Sequence, residues 1–383
     1  MSANTLTGLL PTIYDAADQI SREMVGFIPS VYVNPKAEEV AKDQDITYPV
    51  VAAMAASDVT PSNVLPDISG VTVGAGTMKI TKSRKVPFVW NGEEVTSISP
   101  VYGEVKQNQF LQAMRTLVNE IEADLAALYV AASRAYGTPG TTPFGTNLSE
   151  SAQVRKILAD NGCPMNDCQL TIDTAAGANM RTLTQLNKVN EAGDAATLRR
   201  GELLNVHGFS IRESAQVKTH VAGTESGYLV DLTAGYAAGL KTIHVDTGTG
   251  TILAGDILTN TKTARDTNKY IVKTGFAGDG DGDIVLADPG IKVAWVNNDP
   301  VSSAASYAAN MAYHRNALHL LTRLPKMPPG GDAAQAQEVV TDPVSGISFQ
   351  ILEYGEYRQR IFEVAAAWGV KCVKPEWLAL LAG

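Results

Sequence analysis

The feature that most constrains this chain is one long amphipathic stretch over residues 104–136. Its apolar side chains recur at alternating spacings of three and four, which places them on one face of a helix. They are Phe110, Met114, Leu117, Val118, Ile121, Leu125, Leu128, Tyr129 and Ala132. The opposite face carries Lys106, Gln109, Gln112, Arg115, Asn119, Glu122 and Asp124. With Gly137 and Pro139 as stop signals, the pattern predicts a single unkinked, half-buried helix roughly 50 Å long.

Length and composition favour a folded chain without a membrane span. With 383 residues, 45% of them hydrophobic, the chain has the material for two or three packed domains. Its first fifteen residues lack Lys, Arg and an apolar block, and no apolar run is long enough to cross a membrane. Cys163, Cys168 and Cys372 form an odd, sparse set, which is typical of reduced thiols. We therefore expect a protein that is made and kept in the cytosol.

The net charge narrows the possible partners. At −9, with a pI near 5.1, the chain lacks the excess of Lys and Arg that a broad phosphate-binding surface needs. An acidic wall is still compatible with enclosing nucleic acid, because weak repulsion lets the polymer slide along it. Composition alone leaves both interpretations open.

The N-terminal quarter divides into two segments. Residues 1–45 are acidic, which fits equally a solvated helix with a linker or an arm lying on a neighbouring subunit. Residues 46–91 predict a two-stranded ribbon, with 46–51 outgoing, 58–76 turning, and 78–82 and 86–90 returning. Lys79, Lys82, Arg84 and Lys85 cluster on the returning side. Because an isolated ribbon is marginally stable, a neighbouring chain is a plausible support.

The rest of the chain has α+β character with an all-β interruption. Helices are predicted at 154–158 and 176–189 around a strand at 169–173, and short strands with Gly and Asp turns fill 222–301. That pattern indicates a small barrel or sandwich inside another domain. A helix at 304–311 and a run at 317–321 follow it. Strands at 346–353, 357–367 and 370–373 close the chain.

No constellation commits the chain to catalysis, a cofactor or a metal. The loop from Gly278 to Asp283 resembles a calcium loop but lacks the glycine and glutamate of an EF-hand, so a polar turn is preferred over weak calcium binding. Residues 250–255 have the glycine spacing of a phosphate loop, yet Asp256 replaces its lysine. The five histidines show no metal-ligand spacing, and no nucleophile elbow is present. We predict no catalytic, cofactor-binding or metal-binding residue.

This order of elements resembles that of the major capsid proteins of tailed bacteriophages. The likeness is to the Hong Kong 97-type fold, and closest to the short-tailed Salmonella phage coat-protein branch, which carries an inserted β-barrel domain. The matching residues are Ile46 to Val50, Val86 to Glu93, Val206 to Phe209, Leu324-Pro325 with Pro328, and Ile361 to Pro375, including Ala367-Trp368-Gly369-Val370. The order matches along nearly the whole chain.

The resemblance implies a domain plan. It has an N-terminal arm (1–45), an extended loop (46–91), and a peripheral domain with the spine helix 104–136 and the start of the axial domain (92–200). Core segments follow at 201–221 and 302–383, around an inserted domain at 222–301. The resemblance also implies a structural, non-enzymatic protein that lies in the virion and assembles in the bacterial cytoplasm.

The resemblance further implies partners and contact residues. Copies of the chain form pentamers and hexamers, with scaffolding and portal proteins as partners and double-stranded DNA packaged without sequence-specific binding. Lys79, Lys82, Arg84, Lys85, Glu93 and Glu94 are the expected subunit contacts. Relatives of the broader fold cross-link a loop lysine to an asparagine, but the branch resembled does not. Two rivals remain, an encapsulin-type compartment, which lacks the inserted barrel, and an unrecognised cytosolic enzyme.

Overall fold

The computed structural model describes residues 23–40, 42–51, 56, 58, 59, 61, 73–188, 203, 205–262, 265–342 and 345–383. Most of the predicted N-terminal arm, the turn of the ribbon and the end of the helix predicted at 176–189 lie outside these residues. None of the described helices is long and apolar enough to span a membrane.

The first half of the chain mixes helices and strands. In order these are β1 (Tyr32–Val40), β2 (Asp45–Val51), β3 (Val73–Lys79), β4 (Lys82–Asn91), α1 (Gly92–Ser97), α2 (Tyr102–Ala126), β5 (Arg134–Gly137), α3 (Ser149–Asp160), β6 (Cys168–Ile172), α4 (Thr174–Thr182), α5 (Thr184–Asn187) and β7 (Phe209–Glu213). The helix predicted over 176–189 is thus two short helices, separated at Leu183, whose backbone is extended.

In the second half, the described residues form strands and short 3-10 turns. The strands are β8 (Thr219–His220), β9 (Leu229–Val230), β10 (Thr242–Gly248), β11 (Thr251–Ile252), β12 (Ile257–Asn260), β13 (Lys269–Thr274), β14 (Phe276–Ala277), β15 (Gly280–Leu286), β16 (Val301–Ser303), β17 (Tyr307–His314), β18 (Leu318–Pro325), β19 (Ala334–Thr341), β20 (Ser348–Glu356), β21 (Gln359–Cys372) and β22 (Leu378–Ala382). The strands predicted near the C-terminus are present, with 357–367 and 370–373 merged into β21.

The prediction of one long helix is confirmed for its apolar face, but the predicted length is wrong. Met114, Leu117, Val118, Ile121 and Leu125 are all buried. The α-helix stops at Ala126, after which Ala127–Ala131 form a 3-10 turn and the chain enters β5. β5 pairs with both β22 and β13, so strand pairing outweighs the local helical period.

A six-stranded sheet lies against α2 in the order β1-β18-β21-β20-β19, with β4 also paired to β21. Its apolar face, including Leu320, Phe349, Val364 and Trp368, forms one core with the helix stripe. The predicted ribbon exists as β2 paired with β3, from Asp45 opposite Lys79 to Val51 opposite Val73. The predicted return segment 86–90 belongs instead to β4, which pairs with β21.

The second sheet has the order β7-β6-β17-β22-β5-β13-β15-β10-β9 along its main path. The helix predicted at 304–311 is wrong, because β17 runs through the sheet between β6 and β22. Seven of its eight residues are buried. The segment therefore lacks the alternation of apolar and polar residues by which a strand is distinguished from a helix.

Residues 222–301 have a core of their own. Its large members include Tyr228, Tyr270 and Trp295. The segment is nevertheless joined to the rest of the sheet, because Lys269 and Tyr270 of β13 pair with Ala135 and Arg134 of β5. The boundaries of an inserted domain therefore stay a prediction.

Candidate subunit interface

The β2–β3 ribbon packs on the core near its base and is mostly exposed toward Val73. At the base, Met78 and Ile80 are buried against Leu321 and Ala367. Of the seven residues of β3, five are exposed, and Val73 retains 60% of its surface. A two-stranded ribbon without further cover is marginally stable. It is therefore the first candidate for a surface that a second copy covers.

Lys79 is the predicted contact residue that lies on the ribbon itself. Its ammonium is 3.7 Å from the Asp45 carboxylate across the two strands, and both side chains are about half exposed. Such an exposed pair contributes little to stability. Both charges are therefore open to a partner.

Lys82 lies on β4 and pairs within its own subunit. Its Nζ donates to Asp124 of α2 at 2.7 Å, and the Trp368 indole donates to the other oxygen of the same carboxylate at 2.8 Å. Asp124, predicted on the solvated face, thus fastens the helix to the sheet.

Arg84 and Lys85 also have acidic partners inside the chain. Arg84 lies 3.6 Å from Glu120, and Lys85 lies 2.9 Å from Glu363. Reversing Lys82, Arg84 and Lys85 together would place like charges inside the subunit, so such a variant cannot separate folding from assembly. The role of these residues between subunits stays a prediction.

Glu93 and Glu94 lie in the first turn of α1 and differ in availability. Glu94 completes a capping box, in which its backbone N–H donates to the Asn91 side chain at 2.8 Å and its carboxylate accepts from the Asn91 N–H at 3.1 Å. Glu94 is only 8% exposed, whereas Glu93 is exposed. Glu93 is therefore the acid of this pair that a neighbouring chain can reach.

Glu122 is a buried carboxylate that the sequence pattern placed wrongly on the solvated face. It is fully buried and accepts hydrogen bonds from the backbone of Phe27 at 3.1 Å and Ile28 at 2.7 Å, and from Ser214 at 2.9 Å. Burial raises its pKa, against the hydrogen bonds that lower it. The sequence did contain a sign of this burial, because Glu122 lies four residues after Val118 and so on the same side of the helix as the apolar row.

A second carboxylate holds the same N-terminal segment, residues 23–31, which we call the strap. Glu23 accepts from both the guanidinium of Arg115 and the Asn119 amide, the latter at 2.7 Å. The hydrogen bond from Arg115 lowers the pKa of Glu23 to about 2. At least this acid of the N-terminal region is thus occupied within its own subunit.

The remaining chemical motifs form ordinary polar contacts. In the loop from Gly278 to Asp283, Asp279 accepts from the Gly250 N–H at 2.7 Å, and Asp283 pairs with His244 at 2.7 Å. Across the described ranges, no group of three or more His, Cys, Asp or Glu side chains is arranged to hold a metal. The three cysteines are free thiols.

Comparison with known proteins gives a fold. No family model matches the sequence, and no curated protein matches it. A solved structure from Mycobacterium phage Che8 is 12% identical over 98% of both chains, with a TM-score of 0.52. The capsid of cyanophage P-SCSP1u is 11% identical over 98% of this chain and 92% of its own, with a TM-score of 0.53. The mature capsid of bacteriophage PhiM1 is 11% identical over 97% of this chain and 90% of its own, at 0.51.

These matches run along almost the entire chain and leave little of the other chains unmatched. At 11–12% identity they establish the fold alone. The chain has the α+β fold found in phage capsid structures, which confirms the predicted resemblance at that level.

Proposed function

We propose that this chain is a structural subunit of a capsid shell of a tailed double-stranded DNA bacteriophage. The observation that carries the proposal is that phage capsid structures match 97–98% of the chain. A shell subunit functions by burying surface against its copies, and an exposed ribbon enlarges that contact beyond what the compact body offers.

The finer assignment follows the Hong Kong 97-type plan. The β2–β3 ribbon is the extended loop, α2 is the spine, and 222–301 is the inserted domain of the short-tailed Salmonella phage branch. Copies form the pentamers and hexamers of a shell, with scaffolding and portal proteins as partners. Assembly takes place in the cytoplasm of a bacterial host. The net charge of −9 suits a wall that encloses DNA without sequence-specific binding.

Assembly of the purified chain tests the proposal. With a subunit of 40.6 kDa, mass photometry should show species of five or six copies, or closed particles, whose share rises with concentration. A monomer or dimer at every concentration would speak against a shell subunit. An encapsulin-type compartment is the alternative outcome, recognised by closed particles that enclose a protein cargo rather than DNA.

Lys79 is the ribbon charge best suited to a test of the interface. We expect Lys79→Glu to block assembly and leave the subunit folded, because the two carboxylates that then face each other at positions 45 and 79 are about half exposed and repel only weakly. Light scattering would follow assembly and circular dichroism would follow folding.

A charge swap controls for the pair within the ribbon. The double variant Asp45→Lys, Lys79→Glu restores an opposite-charge pair but exchanges its two ends. We expect it to remain defective in assembly, because the neighbouring subunit contacts the positive charge at position 79. Recovery of normal assembly by the swap would show that only the pair within the ribbon matters.

A further inference from the structure

A polar cavity of about 410 Å³ lies where β5, α3 and β13 meet, away from the ribbon. This size is within the range of small-molecule sites. Its walls include basic side chains from three different elements, Arg134 of β5, Lys156 of α3 and Lys269 of β13. Three threonines of the loop after β5, Thr138, Thr141 and Thr142, add hydroxyl groups.

Lys269 is the partly buried cation of the three that has no carboxylate beside it. Its Nζ donates to the carbonyl oxygen of Gly137 at 2.5 Å, and no carboxylate among the described residues pairs with it. Burial partly desolvates its ammonium group and so lowers the pKa of Lys269. An anion in the cavity would supply the missing counter-charge.

Arg134 gives the cavity a fixed positive charge. The side chain is only 4% exposed, and its guanidinium donates to Asn268 at 2.7 Å and to Asn161 at 3.1 Å. Its carboxylate neighbour, Asp160, is 3.8 Å away and more exposed. Lys156, exposed at the rim, has no acidic partner among the described residues.

Two acids limit which anions fit. Glu150 and Asp160 also line the cavity, and one buried oxygen of Glu150 has no hydrogen-bond partner among the described residues. Three cations against two carboxylates leave an excess of one positive charge. This balance favours a small anion that also donates hydrogen bonds, which hydrogen phosphate and the hydroxyl groups of a sugar or glycerol phosphate provide.

We propose that this cavity binds a phosphoryl group, either inorganic phosphate or a small phosphate monoester, with Lys269 as its principal counter-charge. The ligand would bridge β13 of the 222–301 segment to β5 and α3. The proposal is independent of the shell function.

Calorimetric titration of the purified chain at constant ionic strength tests it, with inorganic phosphate and glycerol 3-phosphate as the two probes. We expect saturable binding of at least one probe. Lys269→Met should weaken it by about ten-fold, as expected when one charge-assisted hydrogen bond is lost. Lys273→Met, which removes the same charge from an exposed position of the same strand, should leave the affinity unchanged.

Two outcomes would overturn the proposal. One is the absence of saturable heat with both probes, and the other is equal affinity for the Lys269→Met and Lys273→Met variants. If Lys269→Met does not fold, Lys156→Met takes its place, since that side chain is at the exposed rim. Unchanged binding in Lys156→Met would then count against the site.

Discussion

At the residue scale, the carboxylates of Glu23 and Glu122 hold the strap and α2 together. The charge of Glu122 predicts a solvated position, yet the residue lies beside Ile121 on the border of the apolar stripe and is buried. A charged group is buried only where donors meet it, and those donors come from residues 27, 28 and 214. Such distant partners leave no trace in local spacing.

Glu122→Gln should destabilise the subunit by about 2–3 kcal/mol, because an amide offers one acceptor oxygen and turns its N–H₂ toward groups that themselves donate. Urea unfolding measures this loss. Glu104→Gln, the same change at an exposed position of the same helix, should alter stability by less than about 0.5 kcal/mol. Equal effects of the two changes would show that Glu122 does not hold the strap.

Glu23 makes part of the stability depend on pH. Its folded pKa of about 2 is below the ordinary value of 4.5, so its contribution is present above pH 4.5 and is lost as the pH falls toward 2. Glu23→Gln should therefore remove part of the acid sensitivity in this window. The difference in unfolding free energy between wild type and variant, measured from pH 7 to pH 2, should shrink as the pH falls. A constant difference would contradict the pairing with Arg115.

At the scale of elements, the stripe of α2 was predictable because its period of three and four persists over many turns. Its end was not, since residues 134–137 become a strand only through pairing with β22 and β13. β17 shows the same limit, because a strand buried on both faces has no polar alternation to distinguish it from a helix. Short strands with clear turns, such as those of 222–301, were easier to recognise.

The base of the ribbon depends on a close backbone approach at Gly369 of β21. A Cβ atom there would lie 1.9 Å from the carbonyl oxygen of Lys79. Gly369→Ala should therefore displace the ribbon and cost about 1–3 kcal/mol. Hydrogen exchange should show faster exchange of the ribbon amides in this variant.

Gly103→Ala is the matched control, because nothing lies within 4 Å of the added carbon at that helical position. It should leave stability unchanged or raise it slightly. If Gly369→Ala unfolds like wild type and protects its ribbon amides equally, the ribbon base does not lie on β21.

At the scale of the whole molecule, the order of elements was more predictable than their bounds or pairing. The sequence indicates a ribbon, a long helix, and an α+β core around a β-rich segment, and the chain has the fold found in phage capsid structures. The sequence did not indicate which strands share a sheet. The segment of β4 is predicted as part of the ribbon, but it pairs with β21. The predicted basic contacts were thereby divided, with Lys79 on the ribbon and Lys82, Arg84 and Lys85 on the core sheet.

Electron cryomicroscopy of the purified chain at increasing concentration is the most direct test of the shell function. We predict closed icosahedral particles, or rings of five and six copies, in which the β2–β3 ribbon of each copy lies on its neighbour. A chain that stays monomeric or dimeric at all concentrations, or that forms particles with every ribbon uncovered, would contradict the account.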